Sequence, residues 1–101
     1  MSRKTVDSLE AVRTEINRID QQLVALLGER GHYVKQAAAF KKTTDDVRAP
    51  KRVEEVIARV KTLAETHDAN PAVVEAVYRA MIDAFIKAEL EEHAVLQGRS
   101  A

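Results

Sequence analysis

Residues 7–42 read DSLEAVRTEINRIDQQLVALLGERGHYVKQAAAFKK. Apolar or small side chains recur in this stretch every three or four residues, which is typical of an amphipathic helix with one buried face. Asp7 and Glu10 have the spacing of a capping box, and Lys41 and Lys42 suit the negative end of the helix dipole. The pattern predicts one helix over residues 7–42, whose buried face contains Leu9, Val12, Ile16, Ile19, Leu23, Leu26, Val34 and Ala37.

The predicted helix is too long for a small globular monomer. At the standard helical rise its length would be roughly 50 Å, whereas a compact domain of this size has a radius of gyration of only about 13 Å. Gly28 and Gly31 are candidate breaks, but the apolar spacing keeps its phase across them, so we expect an unbroken helix. A second chain is then needed to cover the apolar face.

The composition limits the kinds of function that the chain can have. The 101 residues suffice for one domain, and 16 basic residues balance 16 acidic ones, which predicts neither nucleic-acid binding nor a membrane-surface role. The lack of cysteine excludes disulfides and thiolate ligands, and His32, His67 and His93 do not have metal-ligand spacing. We expect a cytoplasmic protein with no membrane span and no metal site.

The rest of the chain predicts two more helices. Pro50 suits the first turn of a helix over residues 50–66, and Asn70 followed by Pro71 suits the start of a helix over residues 71–96. Residues 43–49 are polar and are predicted as a loop. The sequence therefore predicts one all-α domain over residues 1–101. Its inward-facing residues are predicted to be Val53, Val56, Ile57, Val60, Leu63 and Ala64 on the second helix, and Val74, Val77, Tyr78, Met81, Ile82, Ala84, Phe85 and Ala88 on the third.

Five charged residues fall on or beside these apolar faces. Arg30 and Lys41 continue the face of the first helix, and Arg13 lies next to it. Arg52 opens the face of the second helix, and Glu89 is in phase with the face of the third. Each residue alone can be a solvated or paired side chain, since charged groups on helices usually reach water. As a set they carry excess positive charge, which favours an anionic ligand such as a dicarboxylate.

The same residues resemble a known family. The segments VRTEINRID at 12–20, LLGER at 26–30, YVK at 33–35 and FK at 40–41 are similar to motifs of the all-helical chorismate mutases, whose relatives include isochorismate-pyruvate lyases. The stretch VRAPKRV at 47–53 resembles the lyase-like branch, which has a similar Ala-Pro-x-Arg-Val sequence. The resemblance implies an intertwined homodimer of three-helix chains, with two active sites shared between the chains.

The resemblance also implies a role for each charged position. Arg13 of the partner chain and Arg30 would hold the two carboxylates of a small dicarboxylate substrate, and Arg52 would support the anionic ligand. Lys41 would reach a carboxylate and the ether oxygen, and Glu89 replaces a glutamine that hydrogen-bonds this oxygen in many members. The rearrangement of chorismate to prephenate is pericyclic, so the resemblance implies no cofactor.

Two positions depart from the family pattern. Glu89 is an acid and must be protonated before it can donate a hydrogen bond. Lys51 falls near a position where mutases often carry an acid that contacts the ring hydroxyl, and this hydroxyl distinguishes chorismate from isochorismate. We therefore predict a chorismate mutase, with an isochorismate-pyruvate lyase that forms salicylate and pyruvate as the alternative. A third alternative is a non-catalytic helical dimer or regulatory module, although unpaired cations in its core would contribute little to such a dimer.

Overall fold

A computed structural model describes residue 3 and residues 5–98, apart from the side chains at 93 and 96–98. The described residues form four α-helices and no strand: α1 (Leu9–Ala38), α2 (Thr44–Arg48), α3 (Pro50–Thr66) and α4 (Pro71–Gly98). The predicted all-α class and the three long helices are thus confirmed. The ends of the predicted domain, residues 1, 2, 4 and 99–101, lie outside the described residues.

The start of α1 differs from the prediction by two residues. The helix is unbroken over 30 residues, but it begins after Ser8 rather than at Asp7. The Ser8 hydroxyl oxygen accepts a hydrogen bond from the Ala11 N–H at 3.0 Å, and the Ser8 carbonyl accepts from the Val12 N–H at 3.0 Å. Ser8 therefore caps the helix, because it satisfies N–H groups that have no partner in the first turn.

The predicted end of α1 at residue 42 is wrong, and so is the predicted loop over residues 43–49. After Ala38 the N–H groups of residues 39–41 bond to carbonyls three residues earlier, at 3.0–3.3 Å, which is a tight turn rather than α-helix. Residues 44–48 then form α2, because Thr43 and Asp46 close a capping box at its start. This local cap lets a polar stretch become helical, and it places Lys41 in the connection between α1 and α2.

The chain divides between Tyr33 and Val34 into two compact units. In its described part, the first unit (Met1–Tyr33) consists of the residues before α1 and most of α1 itself. The apolar face of α1 was predicted to be covered by a second chain, and in the single chain the large apolar side chains of its first-unit part are 38–67% exposed. These exposed residues, called the α1 apolar face below, are Leu9, Val12, Ile16, Ile19, Leu23, Val24, Leu26 and Leu27. Val34 and Ala37, the last two predicted members of the face, are half-buried and belong to the second unit.

The second unit (Val34–Ala101) has a hydrophobic core between α3 and α4. Ile57 and Val60 from α3 pack with Ile82 from α4, and all three are under 10% exposed. Four residues that were predicted to face this core are exposed instead: Leu63, Val77, Ala84 and Ala88. The full set of core and packed side chains is Val53, Val56, Ile57, Val60, Val74, Tyr78, Ile82 and Ile86.

The core face of α4 continues toward the C-terminal half of the helix. Glu89 follows Ile82 by seven residues, about two helical turns, so both side chains lie on the same side of α4. The short helix α2 also contacts α4, and its Val47 is 2% exposed. Both α3 and α2 therefore contact α4, and the Glu89 side chain on its inner face is buried.

An exposed network of charges joins α3 to α4. The Arg79 guanidinium donates from both terminal nitrogens to the two carboxylate oxygens of Glu54, each at 3.0 Å, and from Nε to Glu75 at 2.9 Å. Lys61 Nζ lies 3.3 Å from the other Glu75 oxygen. These contacts hold the pKa values of Glu54 and Glu75 below their usual range, chiefly through the hydrogen bonds from Arg79. We call these four residues the Arg79 network.

Candidate active site

Lys41 and Glu89 form an ion pair in the second unit. Lys41 Nζ lies 2.9 Å from Glu89 Oε2, and the side chains are 27% and 5% exposed. Among the described residues, Glu89 is the charged residue whose side chain is buried, whereas Lys41 still reaches solvent. The predicted placement of Glu89 on the inner face of its helix is confirmed. The structure thus brings together the two residues that were predicted to act on the bond that breaks.

The Glu89 carboxylate keeps hydrogen-bonding capacity in this pair. Oε2 is buried, and no group of the described residues meets hydrogen-bond geometry with it, although the Lys41 ammonium lies close enough for charge attraction. A buried polar atom without a hydrogen bond is costly and calls for an explanation. A ligand that approaches Lys41 and Glu89 together can supply the missing contact, and this makes the pair the leading candidate for chemistry.

The segment that carries Lys41 is tied down on both sides. On one side the Lys41 N–H donates to the Ala38 carbonyl at 3.3 Å. On the other side Asp46 Oδ2 accepts from the N–H groups of Lys42 at 3.1 Å and Thr43 at 3.2 Å, while the Thr43 hydroxyl oxygen accepts from the Asp46 N–H at 3.1 Å. The two backbone N–H groups hold the pKa of the Asp46 carboxyl below its usual range. The position of Lys41 therefore depends on local backbone contacts.

The three predicted arginines lie apart in the chain. Arg52 is in the first turn of α3, in the same unit as the ion pair, and its side chain is exposed. Arg13 and Arg30 belong to the first unit, where Arg13 is exposed and Arg30 is half-buried. Of the five predicted positions, the structure brings Lys41 and Glu89 together in an ion pair. The roles of the arginines in binding an anion stay predictions.

Thr43 and Asp46 are the local residues that the sequence analysis did not single out. Their spacing, a threonine followed three residues later by an acid, is a known capping signal. The signal was present in the sequence, but residues 43–49 contain only one large apolar side chain, Val47, and so show no helical periodicity. The capping residues matter here because they lie directly after Lys41.

Comparison with known proteins identifies the family of the chain. A family model described as chorismate mutase type II matches residues 12–90, a range that includes all five predicted site residues. The chain belongs to this family. It is also 31% identical over 83 residues to the isochorismate pyruvate lyase of Pseudomonas aeruginosa, and the match covers 82% of each chain.

Membership of the chorismate mutase family narrows the class of function. Together, the family match and the similar lyase support an enzyme that acts on a small molecule. The two findings point to different reactions, so they leave the exact reaction to be argued from the site. Within the described residues, no helix combines the length and apolar character that a membrane span requires.

Proposed function

We propose that the protein rearranges chorismate to prephenate. The observation that carries the proposal is the contact between Lys41 Nζ and the buried Glu89 carboxylate, at 2.9 Å, in a chain of the chorismate mutase family. Two polar groups this close can both reach one oxygen atom of a ligand. The ether oxygen of chorismate is such an atom, because it gains negative charge as its bond to the ring breaks.

The chemistry requires positioning and charge stabilisation rather than a nucleophile. One carbon–oxygen bond breaks and one carbon–carbon bond forms within the same molecule, so no group is transferred to the protein. The Lys41 ammonium stabilises the developing negative charge on the oxygen, and donors that are already in place cost no reorganisation during the reaction. Glu89 contributes a second donor when it is protonated, whereas an ionised Glu89 opposes the developing charge.

Arginine side chains hold the two carboxylates of the substrate in this proposal. Arg30 and Arg52 bind from one chain, and Arg13 binds from the partner chain. The planar guanidinium fork matches a carboxylate with two parallel hydrogen bonds. Two such clamps favour the compact conformer in which the reacting carbon atoms are close together. No metal or cofactor takes part in the proposed reaction.

The proposal includes a homodimer whose active sites are shared between the chains. The α1 apolar face supports it, since eight large apolar side chains of one helix are 38–67% exposed in the single chain. A contiguous apolar surface of this kind usually marks an interaction site. A second copy of α1 offers the same pattern and can cover it, which would bring Arg13 of one chain to the site of the other.

A second candidate reaction is the conversion of isochorismate to salicylate and pyruvate. The similarity to the Pseudomonas aeruginosa lyase favours it. Lys51, near the position where mutases often carry an acid, also favours it, because the position of the ring hydroxyl distinguishes the two substrates. The same ion pair serves both reactions, since the same ether bond breaks in each of them.

The test is to incubate the purified protein with chorismate and with isochorismate separately, and to measure prephenate and salicylate. Faster prephenate formation supports the mutase, whereas faster salicylate formation replaces it with the lyase. The test variant is Lys41→Ala, which removes the lysine that pairs with Glu89. The matched control is Lys42→Ala, which removes the adjacent lysine. If the parent forms neither product, the non-catalytic dimer or regulatory module becomes the better account.

A further inference from the structure

We infer that the capping box formed by Thr43 and Asp46 positions Lys41 for catalysis. This inference rests on the proposed function, in which Lys41 acts on the substrate. Thr43 and Asp46 are positioning residues in this account, because they act through Lys41 and do not touch the substrate. The box is a feature of five consecutive residues, from Lys42 to Asp46, which follow Lys41 directly.

The hydrogen bonds of the box fix the backbone immediately after Lys41. Asp46 Oδ2 accepts from two successive N–H groups, those of Lys42 and Thr43, at 3.1 and 3.2 Å. The Lys41 N–H is itself bonded to the Ala38 carbonyl at 3.3 Å. The Lys41 Cα is thus held between the last turn of α1 and the first turn of α2. A long, flexible lysine side chain is placed reproducibly only when its backbone is fixed in this way.

The box also links Lys41 to the helix that carries Glu89. Asp46 is followed by Val47, which is 2% exposed, and α2 contacts α4. The buried Val47 anchors α2, and the box connects this anchor to the Lys41 segment. Loss of the box frees the segment between Ala38 and Val47 while both anchors remain. Such a change alters the distance between Lys41 and Glu89 without removing the α3–α4 core.

An effect of the Asp46 charge and an effect of Asp46 on the position of Lys41 predict opposite changes in activity when Asp46 is replaced. Kinetics can therefore distinguish the two explanations. The Asp46 carboxylate is close enough for the Lys41 charge to help lower the pKa of Asp46. If Asp46 acted only through its charge, its removal would leave more positive potential at the site and would favour an anionic substrate. If Asp46 acts through position, its removal lowers turnover despite that gain in potential.

The experiment compares Asp46→Ala and Asp46→Asn with the matched control Asp45→Ala. Asp45 has the same charge and lies in the same turn of α2, but it is not a member of the box. With chorismate as substrate, we expect kcat to fall about tenfold in Asp46→Ala, because small misplacements of a catalytic group have effects of this size or more. Asp46→Asn keeps a carbonyl acceptor and should recover most of kcat, and Asp45→Ala should stay within about twofold of the parent.

Two further readouts separate positioning from a general loss of structure. In a Lys41→Ala background, Asp46→Ala should change the residual turnover less than about twofold, because residues that act as a unit are not additive. Trace acetylation followed by mass spectrometry reports on Lys41 directly, with Lys87 of α4, which lies outside the box, as internal reference. We expect the ratio of Lys41 to Lys87 labelling to rise in Asp46→Ala and to stay unchanged in Asp45→Ala.

The outcomes distinguish this inference from the proposed function. If Lys41→Ala loses turnover while Asp46→Ala keeps the parent values of kcat and of the labelling ratio, the positioning role is wrong and the proposed function stands. If the parent converts neither chorismate nor isochorismate, the proposed function is wrong, and the labelling ratio alone decides whether the box positions Lys41. The inference would also be wrong if the losses of turnover caused by Lys41→Ala and Asp46→Ala multiplied fully in the double variant.

Discussion

Two of the ion-pair sites in the second unit have opposite character. In the Arg79 network the cation is exposed and hydrogen-bonded to both carboxylates, and every contact spans 2.9–3.3 Å. In the Lys41–Glu89 pair the carboxylate is 5% exposed, and its Oε2 atom has no hydrogen bond among the described residues. In the first site Arg79 hydrogen-bonds both carboxylates, whereas in the second the buried Oε2 atom has the Lys41 ammonium beside it but no hydrogen bond from a described residue.

The difference supports the proposal that the Lys41–Glu89 pair, rather than the Arg79 network, has a functional role. An exposed network that joins two helices costs little desolvation and contributes modestly to stability. A buried pair costs several kcal/mol of desolvation per ion, and apolar residues of similar volume are often as stable or more stable. Stability therefore gives little reason for the Lys41–Glu89 pair, and ligand binding gives a better one.

The largest effect should come from the lysine of the buried pair. Lys41→Ala should lower turnover by about 10²- to 10³-fold, as the loss of one charge-stabilising donor does in other enzymes. Lys42→Ala and Arg79→Ala remove cations of the same charge from outside the pair and should stay within about threefold of the parent. Steady-state kinetics on the three variants gives the comparison, and an equal loss in all three would remove the distinction between the sites.

In the α3–α4 interface, the apolar core should contribute more to the free energy of unfolding than the Arg79 network does. Ile57→Ala deletes most of a side chain that is 3% exposed in the core and should cost about 2–5 kcal/mol of unfolding free energy. Arg79→Met should lower the unfolding midpoint in urea by much less, because its ion pairs are solvent-exposed. Urea titration followed by circular dichroism measures both variants. A larger loss for Arg79→Met than for Ile57→Ala would show that the network dominates the interface.

The proposed sharing of sites can be tested by mixing two inactive variants. Arg13→Ala and Lys41→Ala should each be nearly inactive, because both residues serve the same site from opposite chains. Half of the dimers in an equal mixture contain one chain of each kind, and each of these has one intact site, so about a quarter of the parent activity should return. No recovery after proven subunit exchange, or a folded monomer in sedimentation at micromolar concentration, would contradict the shared site.

The smallest effect concerns acid stability and the Arg79 network. Glu54 and Glu75 have pKa values below the ordinary value of 4.5, because Arg79 hydrogen-bonds their carboxylates. A lowered folded-state pKa stabilises the protein above about pH 4.5, and this stability is lost as the pH falls through the folded-state value. Arg79→Met should therefore show a smaller drop of Tm between about pH 6 and pH 3 than the parent. Lys87→Met, which breaks an exposed pair within α4, is the control and should keep the parent slope.

Much of the fold could be predicted from periodicity and capping residues. Asn70 and Pro71 marked the start of α4, where the Asn70 side chain accepts from the Ala72 N–H at 2.9 Å. The phase of Glu89 with Tyr78 and Ile82 predicted its burial, because the helical period alone fixes the face of a residue. These features depend on residues close together in the sequence.

Features that depend on contacts between helices were harder to predict from the sequence. Val77 and Leu63 have the apolar character of core residues but are exposed. Sequence periodicity does not show which apolar residues of a helix the neighbouring helix covers. The end of α1 was placed four residues too late, because the alanines before Lys41 favour helix and the cap at Thr43 was overlooked. The contact between Lys41 and Glu89 joins residues far apart in the chain, and only the family resemblance pointed to it.

The most direct test of the catalytic pair is turnover of chorismate by the parent, Glu89→Gln and Glu89→Ala under one set of conditions. Glutamine is a permanent hydrogen-bond donor of similar shape and carries no negative charge, so Glu89→Gln should turn over chorismate at least as fast as the parent. Glu89→Ala removes the donor and should be at least about tenfold slower than Glu89→Gln. A Glu89→Gln variant as slow as Glu89→Ala would contradict the assignment of Glu89 as the donor beside Lys41.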